Sequence, residues 1–175
     1  MSILLESERL YIKNPEAADF DNLSQIQTDP IVMKYIRSGR PYTPEEVNES
    51  LGKSIAHFQK YGYGFGTTFT KEDNKLVGWA GLIHLDYDDT QPEHEIGCIL
   101  AKEVWGQGYG TELARAMVEW GFQNINIDKI FASIHPNHIV SQRTSEKIGM
   151  KFLKMGNYWG GEAKLFVLNK SNYLK

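Results

Sequence analysis

Two neighbouring segments decide the fold of this chain: Ile96-Gly97-Cys98-Ile99-Leu100 and, after residues 101–104, Trp105-Gly106-Gln107-Gly108-Tyr109-Gly110-Thr111-Glu112-Leu113. The first segment predicts a strand, and the apolar residues Leu113, Met117 and Trp120 recur at the spacing of a helix. Between them lies a turn with glycine at alternate positions, where the backbone can curl and a ligand can touch it. The N–H groups of such a turn, together with the positive end of the following helix, suit a diphosphate.

The glycine pattern of this turn does not match two common nucleotide-binding motifs. A dinucleotide fingerprint requires G-x-G-x-x-G, but counting from Gly106 places Thr111 at the last glycine. A Walker loop requires Gly-Lys-Ser/Thr, which this turn lacks. Alternating glycines alone are a weak signal, so a tight turn into a helix that binds no ligand stays open at this point.

The rest of the sequence predicts one domain over residues 1–175. No internal repeat, low-complexity tract or Pro/Gly/Ser-rich linker divides it. Thr43-Pro44-Glu45-Glu46 has the pattern of a capping box, which begins a helix that ends near Gly62. The order of elements is typical of an α/β (α+β) fold, a mixed sheet with helices on both faces. We predict strands at 10–12, 65–70, 76–85, 94–100, 130–134, 152–159 and 164–168, and helices from about 17, over 43–62, from about 113 and over 141–148.

The bulk properties of the chain exclude several classes of protein. The 175 residues carry a formal net charge of −3 and a pI near 6.0, so no global positive field is available to attract nucleic acid or an anionic membrane. Cys98 is the only cysteine, which excludes an internal disulfide framework. The opening residues lack the pattern of a signal peptide, and no stretch reaches the roughly 20 apolar residues that span a bilayer. We therefore expect a cytoplasmic protein that holds any anionic ligand locally.

A second segment follows a predicted strand and contains a short predicted helix: His135-Pro136-Asn137-His138-Ile139-Val140-Ser141-Gln142-Arg143-Thr144-Ser145-Glu146-Lys147-Ile148-Gly149-Met150-Lys151-Phe152. Together the segments resemble the GNAT superfamily of N-acetyltransferases, and most of all its RimJ/RimL-type branch of ribosomal-protein N-terminal acetyltransferases. The resemblance rests on Glu95-Ile96-Gly97, residues 105–109, residues 141–150 and the opening Glu8-Arg9-Leu10, and it covers nearly the whole chain. His138 stands where members usually carry Asn, and Asn137 is adjacent to that position.

The resemblance implies a GNAT-like acyl-CoA N-acyltransferase fold with a single, mostly antiparallel sheet. It implies that acetyl-CoA is the cosubstrate and that a primary amine attacks it directly in a ternary complex. The acceptor would be a peptide N-terminus, a polyamine or an aminoglycoside, and dimers are common among such proteins. Backbone amides of 107–111 would hold the pyrophosphate, and the strand at Ile99 and Leu100 would orient the acetyl carbonyl. The full set of implied cofactor-binding residues is Ile99, Leu100, Trp105, Gly106, Gln107, Gly108, Tyr109, Gly110, Thr111, Asn137, Ser141 and Arg143.

Two residues are the candidate catalytic groups. An α-amino group has a pKa of about 8, so a carboxylate acting through water suffices as its base. Glu95 is the best candidate because its strand leads into the cofactor site; a solvated strand position or a structural ion pair is the alternative interpretation, and Glu162 is a weaker competitor. Ser141 matches the serine that family members place near the cofactor sulfur. A structural interpretation, in which Ser141 is the N-cap of its helix, stands beside that role.

Other residues have structural interpretations that we favour over functional ones. Packing explains Trp105, a solvated position on a short helix explains Arg143, and a buried, inert thiol explains Cys98. The five histidines show no metal-ligand spacing, so we predict no metal site; they are His57, His84, His94, His135 and His138.

The acceptor is poorly encoded in the sequence. An acidic loop before the central strand could attract a cationic amine or could be merely solvated, and three aromatic residues could line a groove or build the core. The loop carries Asp86, Asp88, Asp89 and Glu93, and the aromatic residues are Tyr61, Tyr63 and Phe65. Two other functions remain open: a non-catalytic acyl-CoA-binding or regulatory module, and a nucleotide-binding domain.

Overall fold

An eight-stranded sheet runs through residues 2–173, the part of the chain that the computed structural model describes. The strand order is β1-β2-β3-β4-β5-β6-β8-β7. Every neighbouring pair is antiparallel except β5 and β6, which are parallel. The strands are β1 (Ile3–Glu6), β2 (Leu10–Lys13), β3 (Phe65–Thr70), β4 (Leu76–His84), β5 (His94–Leu100), β6 (Lys129–Ile134), β7 (Lys151–Tyr158) and β8 (Gly161–Asn169).

Helices cover the sheet and bury its apolar side chains in two main clusters. The helices are α1 (Phe20–Gln27), α2 (Pro44–Tyr61), α3 (Tyr109–Asn124), α4 (Ile139–Lys147) and α5 (Lys170–Tyr173). Leu23 of α1 and Leu51 of α2 pack with Trp79 of β4, whereas Leu113 and Met117 of α3 pack into the larger cluster. The predicted fold class, a mixed and mostly antiparallel sheet flanked by helices, is therefore confirmed. No described helix is both long and apolar enough to cross a bilayer.

The predicted capping box begins α2. The Thr43 hydroxyl accepts a hydrogen bond from the N–H of Glu46 at 3.2 Å, and the Glu46 carboxylate accepts one from the N–H of Thr43 at 2.8 Å. Gly62 ends the helix in the left-handed conformation with φ of 79°, which a residue with a side chain rarely adopts. A side-chain N-cap such as Thr43 stabilises a helix by about 1 kcal/mol.

The structure corrects several predicted boundaries. Strand β1 was not predicted, and α3 begins at Tyr109 rather than near Leu113. The prediction that Ser141 is the N-cap of its helix is wrong, because α4 begins at Ile139 and His138 is the N-cap. A turn in which the His138 N–H donates to the His135 carbonyl at 3.0 Å starts the helix early and places Ser141 in its first turn.

Strands β5 and β6 separate almost as soon as they meet. Their only register pair is Glu95 with Phe131, whereas β5 stays paired with β4 as far as Leu100. Residues 96–100 therefore have a neighbouring strand on one side only. This separation opens the sheet at its centre, beside the start of α3.

Three histidines that are distant in sequence meet in the core. His57 on α2, His84 at the end of β4 and His94 at the start of β5 are all buried, and Tyr63 joins them. Their side chains lie within hydrogen-bonding distance of one another or of nearby carbonyl oxygens. No group of three or more His, Cys, Asp or Glu side chains within residues 2–173 is arranged to hold a metal ion.

Two backbone carbonyls fix the tautomers of this cluster. His57 Nδ1 lies 2.8 Å from the Tyr63 carbonyl and must donate to it, so Nε2 accepts from His84 Nδ1 at 3.0 Å. His94 Nδ1 likewise donates to the Pro92 carbonyl at 2.8 Å, so its Nε2 accepts from the Tyr63 hydroxyl at 2.6 Å. Neutral rings satisfy all of these hydrogen bonds, and the backbone N–H of His84, which donates to His57 Nε2 at 3.3 Å, supports the acceptor role of that nitrogen. Burial lowers the pKa of all three histidines, that of His84 to about 4.

We expect the free energy of unfolding to fall as the pH is lowered from about 6.5 to about 4. The unfolded chain takes up protons on these histidines near pH 6.5, whereas the folded chain resists protonation until lower pH. His84→Asn keeps an N–H donor but does not titrate. Over this pH range its free energy of unfolding should therefore fall by roughly 1 kcal/mol less than that of the unchanged protein. Urea unfolding at a series of pH values measures both proteins, and parallel curves would contradict the assignment.

Candidate active site

A cavity of about 460 Å³ lies where β5 and β6 separate. Residues 96–99 of β5 form one wall, and residues 134–138, which begin at the last residue of β6, form the other. Gly110 and Ala114 of α3 also line it, as do Glu95, Ser133 and Trp159; we call the part around the buried Glu95 its inner end. The cavity therefore connects the start of α3 with the point at which the two strands part.

The glycine-rich turn at the start of α3 exposes backbone donors. Gly106 and Gly108 have φ values of 79° and 80°, which explains why glycine occupies both positions. Among the described residues, no hydrogen bond uses the N–H groups of 107–111, and the N-cap, Gly108, has no side chain to supply one. Unpaired N–H groups at the positive end of a 16-residue helix form an anion site. The turn therefore fits the diphosphate predicted for it.

Arg9 and Glu112 fix this turn to the β1–β2 hairpin. Arg9 Nε lies 2.6 Å from Glu112 Oε2, and Arg9 Nη1 donates to the Gln107 carbonyl at 3.0 Å. The Arg9 guanidinium also covers the Tyr109 ring, 4.6 Å from its centre. Glu112 further accepts hydrogen bonds from the Ser7 hydroxyl and the Arg9 N–H. Sequence reasoning missed this contact because 103 residues separate its partners.

The remaining predicted cofactor residues fall into two groups. Ile99, Asn137 and Ser141 line the cavity, and no hydrogen bond among the described residues uses the Ser141 hydroxyl. Arg143 is exposed and lies outside the cavity lining. Trp105 is 49% exposed, and its indole N–H donates to the Leu100 carbonyl at 3.0 Å, which secures the end of β5. This hydrogen bond gives the Trp105 side chain a structural contact, although about half of the side chain is exposed rather than packed.

Glu95 lies at the inner end of the cavity, on the last residue that β5 pairs with β6. Its side chain is buried and accepts hydrogen bonds from the Ser133 hydroxyl at 2.9 Å and the Trp159 indole N–H at 2.7 Å. Burial raises the pKa of Glu95 to about 8, although both hydrogen bonds and nearby Arg37 oppose the rise. A carboxyl with a pKa near 8 exchanges protons readily at neutral pH.

Trp159 and Arg37 complete the inner end, and sequence reasoning found neither. The Arg37 guanidinium carbon lies 3.2 Å from the centre of the Trp159 ring. Tyr87 packs edge-on against the same ring at 5.3 Å, and the Asp86 carboxylate accepts a hydrogen bond from the backbone N–H of Trp159 at 2.7 Å. No local signal could have found this group, because its members come from three separate parts of the chain.

The acidic loop does not line the cavity with free carboxylates. Asp89 is bound by Lys60 at 2.7 Å and by the Tyr61 hydroxyl at 2.6 Å, and Asp88 accepts from Thr90. The three aspartates of the loop therefore have protein partners. The Glu93 side chain makes no hydrogen bond or salt bridge with residues 2–173. Of the three aromatic residues, Tyr61 and Tyr63 pack with the histidine cluster and Phe65 lines the cavity.

Two further candidate residues also line the cavity. Glu162 is exposed, so it lies at the solvent side rather than at the inner end. Cys98 is half-buried, and burial raises its pKa to about 11. A thiol with this pKa is a poor nucleophile at neutral pH, in agreement with the interpretation of Cys98 as inert.

Comparisons with known proteins identify the family of the chain. An acetyltransferase (GNAT) domain family matches residues 9–151. The "Uncharacterized N-acetyltransferase YnaD" of Bacillus subtilis (strain 168) is 28% identical over 179 residues, covering 95% of this chain and 97% of the relative. An acetyltransferase (GNAT family) structure from Bacillus anthracis superposes with a TM-score of 0.78 at 25% identity, covering 95% of this chain and 98% of that one.

A third similar protein is the spermidine N-acetyltransferase from Vibrio cholerae, solved in complex with CoA and spermine. It superposes with a TM-score of 0.75 at 20% identity and covers 95% of this chain and 98% of that one, a likeness of fold. The domain family covers most of the chain, including the glycine-rich turn, Glu95 and the start of β7. The chain therefore belongs to the GNAT family of acetyltransferases and is an acetyl-CoA-dependent acetyltransferase.

Proposed function

We propose that this protein transfers the acetyl group of acetyl-CoA to a primary amine by direct attack in a ternary complex. The observation that carries the proposal is the cavity itself, which joins an exposed anion site at the start of α3 to a buried carboxyl at Glu95. The anion site can hold the diphosphate of acetyl-CoA. The carboxyl can take a proton from the acceptor amine. The sequence motifs favour the RimJ/RimL-type branch of the family.

The residues present fit acetyl-CoA. The free N–H groups of 107–111 would hold its pyrophosphate, and the unpaired edge of β5 at Ile99 and Leu100 would contact its pantetheine arm. When bound, acetyl-CoA supplies the thioester whose acetyl group is transferred. The Vibrio cholerae relative, which has the same fold, binds CoA. This likeness supports the assignment of the cosubstrate.

Glu95 would act as the general base. Ser133 and Trp159 hold its two oxygens in place, and each oxygen keeps a second lone pair for the proton of the acceptor. With a pKa of about 8 the carboxyl matches an α-amino group, whose pKa is also about 8. Glu162 is the alternative base, but its exposed position gives it no comparable environment.

Ser141 would act as a hydrogen-bond donor to the departing sulfur. Its hydroxyl lies in the lining of the cavity and has no hydrogen-bond partner among the described residues. Because His138 is the N-cap of α4, helix capping does not account for the hydroxyl. The position in the first turn of α4 also favours a negative charge nearby.

We also propose that the protein forms a homodimer through β7. This strand is at the end of the sheet, so one edge of its backbone has no neighbouring strand among the described residues. Phe152, Leu153 and Met155 on it are 53%, 51% and 42% exposed. An exposed apolar edge strand is a hazard in a monomer and a ready surface for a second copy. Sedimentation of Leu153→Lys, expected to be monomeric, beside the unchanged chain tests the proposal.

The alternative function is a non-catalytic acyl-CoA-binding module. A single assay separates the two: acetyl-CoA and a panel of peptides, polyamines and aminoglycosides are incubated with the protein, and free thiol is measured. We expect thiol release that depends on the amine, with one acetyl group added to the product by mass. Tight CoA binding without thiol release across the panel would favour the binding module.

Gly110→Asp should weaken CoA binding without destabilising the fold. Gly110 has an ordinary helical φ, and a Cβ built there meets its nearest neighbour, Leu100, at 3.7 Å. An acidic side chain in the first helical turn is itself stabilising, but it would repel the diphosphate. We expect the CoA dissociation constant measured by calorimetry to rise about tenfold or more, with an unchanged or higher melting temperature.

Gly110→Asn is the matched control, because it adds nearly the same volume without the charge. Its effect on CoA affinity should be several-fold smaller than that of Gly110→Asp. Equal losses in the two variants would mean that crowding, and not charge, weakens the binding. Full affinity in both variants would contradict the placement of the diphosphate at this turn.

Glu95→Gln should lower kcat by about a hundredfold at pH 8 and leave the CoA dissociation constant unchanged. In the unchanged enzyme, kcat/KM should rise steeply from pH 7 to 9, because Glu95 and the acceptor amine both lose protons there. In Glu95→Gln the pH dependence of kcat/KM should reflect the ionisation of the acceptor amine alone. Glu162→Gln should keep the original profile. A Glu95→Gln enzyme with the original rate and profile would mean that Glu95 is structural.

Stability measurements give an independent check on Glu95. The folded state holds its proton up to about pH 8, whereas the unfolded chain releases it near pH 4.5. The free energy of unfolding of the unchanged protein should therefore fall relative to that of Glu95→Gln as the pH rises from about 5 to 8. The expected change is on the order of a few kcal/mol. A constant difference would contradict the raised pKa.

A further inference from the structure

Arg37 occupies an unusual position at the inner end of the cavity. It follows a short helical turn, Val32–Tyr35, and its guanidinium carbon lies over the Trp159 ring, 3.2 Å from the ring centre. It lines the main cavity and also an adjoining one of about 380 Å³. A substrate that reached Glu95 from this side would therefore pass Arg37.

Backbone strain is concentrated around the same indole ring. Five non-glycine residues in 2–173 have a positive φ, and all but Asn74 touch this group: Arg37, Asp86, Tyr87 and Trp159. Each such conformation costs on the order of 1 kcal/mol or more and persists only where its surroundings impose it. Strained backbone conformations of this kind are common at sites that bind ligands. Here they hold the guanidinium and the indole in a fixed relation.

The positive charge of Arg37 has no carboxylate partner. It forms no salt bridge with any carboxylate in the described part of the chain. The two nearby carboxylates accept hydrogen bonds from other groups. Glu95 accepts from the Ser133 hydroxyl and the Trp159 indole N–H. Asp86 accepts from the backbone N–H of Trp159. In the adjoining cavity Arg40 is already paired with Glu46 at 2.6 Å. A half-buried guanidinium with donors to spare is suited to a planar oxyanion.

Trp159 sets the distance between the two charged groups. Its indole N–H donates to Glu95 and its ring face carries Arg37, so one rigid side chain separates the base from the cation. A molecule with an amine and a carboxylate separated by a few bonds could place the amine at Glu95 and the carboxylate at Arg37. A polycation would meet like charge at Arg37 instead.

We propose that Arg37 selects an acceptor that carries a carboxylate close to its reacting amine. This inference rests on the proposed transferase function and names its substrate class. The carboxylate has two possible sources, the main-chain carboxylate of a free amino acid or the side chain of an acidic first residue in a peptide. In both, the guanidinium fork pairs with the carboxylate while Glu95 takes the proton of the amine.

The test compares matched acceptors that differ only in the carboxylate. The first pair is leucine and leucinamide, and the second is the peptide amides Glu-Ala-Ala and Gln-Ala-Ala. The unchanged enzyme and Arg37→Gln are assayed for kcat/KM with each. We expect the acid-to-amide ratio of kcat/KM to fall ten- to a hundredfold in Arg37→Gln for at least one pair, as for a lost charged hydrogen bond. Comparing ratios cancels the different basicities of the two amines.

Two controls separate selection from structure. Arg40→Gln removes a neighbouring arginine that already has a partner, so the acid-to-amide ratio should stay at its original value. Arg37→Lys keeps the charge without the fork and should give an intermediate ratio. The melting temperature and CoA affinity of each variant show whether it is folded.

The pair that responds identifies the source of the carboxylate. Equal use of acid and amide by the unchanged enzyme, or an equal loss of both in Arg37→Gln, overturns the inference and leaves the transferase function standing. Faster transfer to spermidine than to any of these acids also overturns it. Absence of thiol release with every probe, spermidine included, counts against the transferase function as well.

Discussion

Strands β5 and β6 touch at one register pair, Glu95 with Phe131, and every feature of the site depends on their separation beyond it. The gap leaves residues 96–100 with a free backbone edge and opens the cavity beneath α3. Glu95 occupies the last paired position, so it is held rigidly by the sheet and yet borders the cavity. Were the strands paired along their length, the anion site and the carboxyl would be separated by packed core.

The charges at the two ends of the cavity are supplied in different ways. At the start of α3 the arginine that touches the turn, Arg9, is neutralised by Glu112, so attraction for a diphosphate comes from backbone N–H groups and the helix. This arrangement needs no net positive charge, in keeping with a chain of net charge −3. At the inner end the cation is a side chain, Arg37, which forms no salt bridge with a carboxylate in residues 2–173.

Local sequence patterns predicted local structure well. The capping box at Thr43, the bounds of β5 and the turn before α3 were predicted because each depends on residues that are neighbours in the chain. The resemblance to the GNAT superfamily then supplied the fold and the family, both confirmed. Its RimJ/RimL-type branch, the single domain over residues 1–175, the cytoplasmic location and the roles of individual site residues stay predictions. The surroundings of Glu95 could not be predicted, because Ser133 and Trp159 lie 38 and 64 residues away.

We propose that coenzyme A lies in the gap between β5 and β6, with its diphosphate at the backbone of 107–111. Titration of isotope-labelled protein with CoA, followed by the amide resonances in NMR spectra, tests it most directly. We expect the largest shifts at saturation on the amides of 107–111 and 96–100. Saturable binding that leaves both segments unshifted and perturbs residues elsewhere would contradict it.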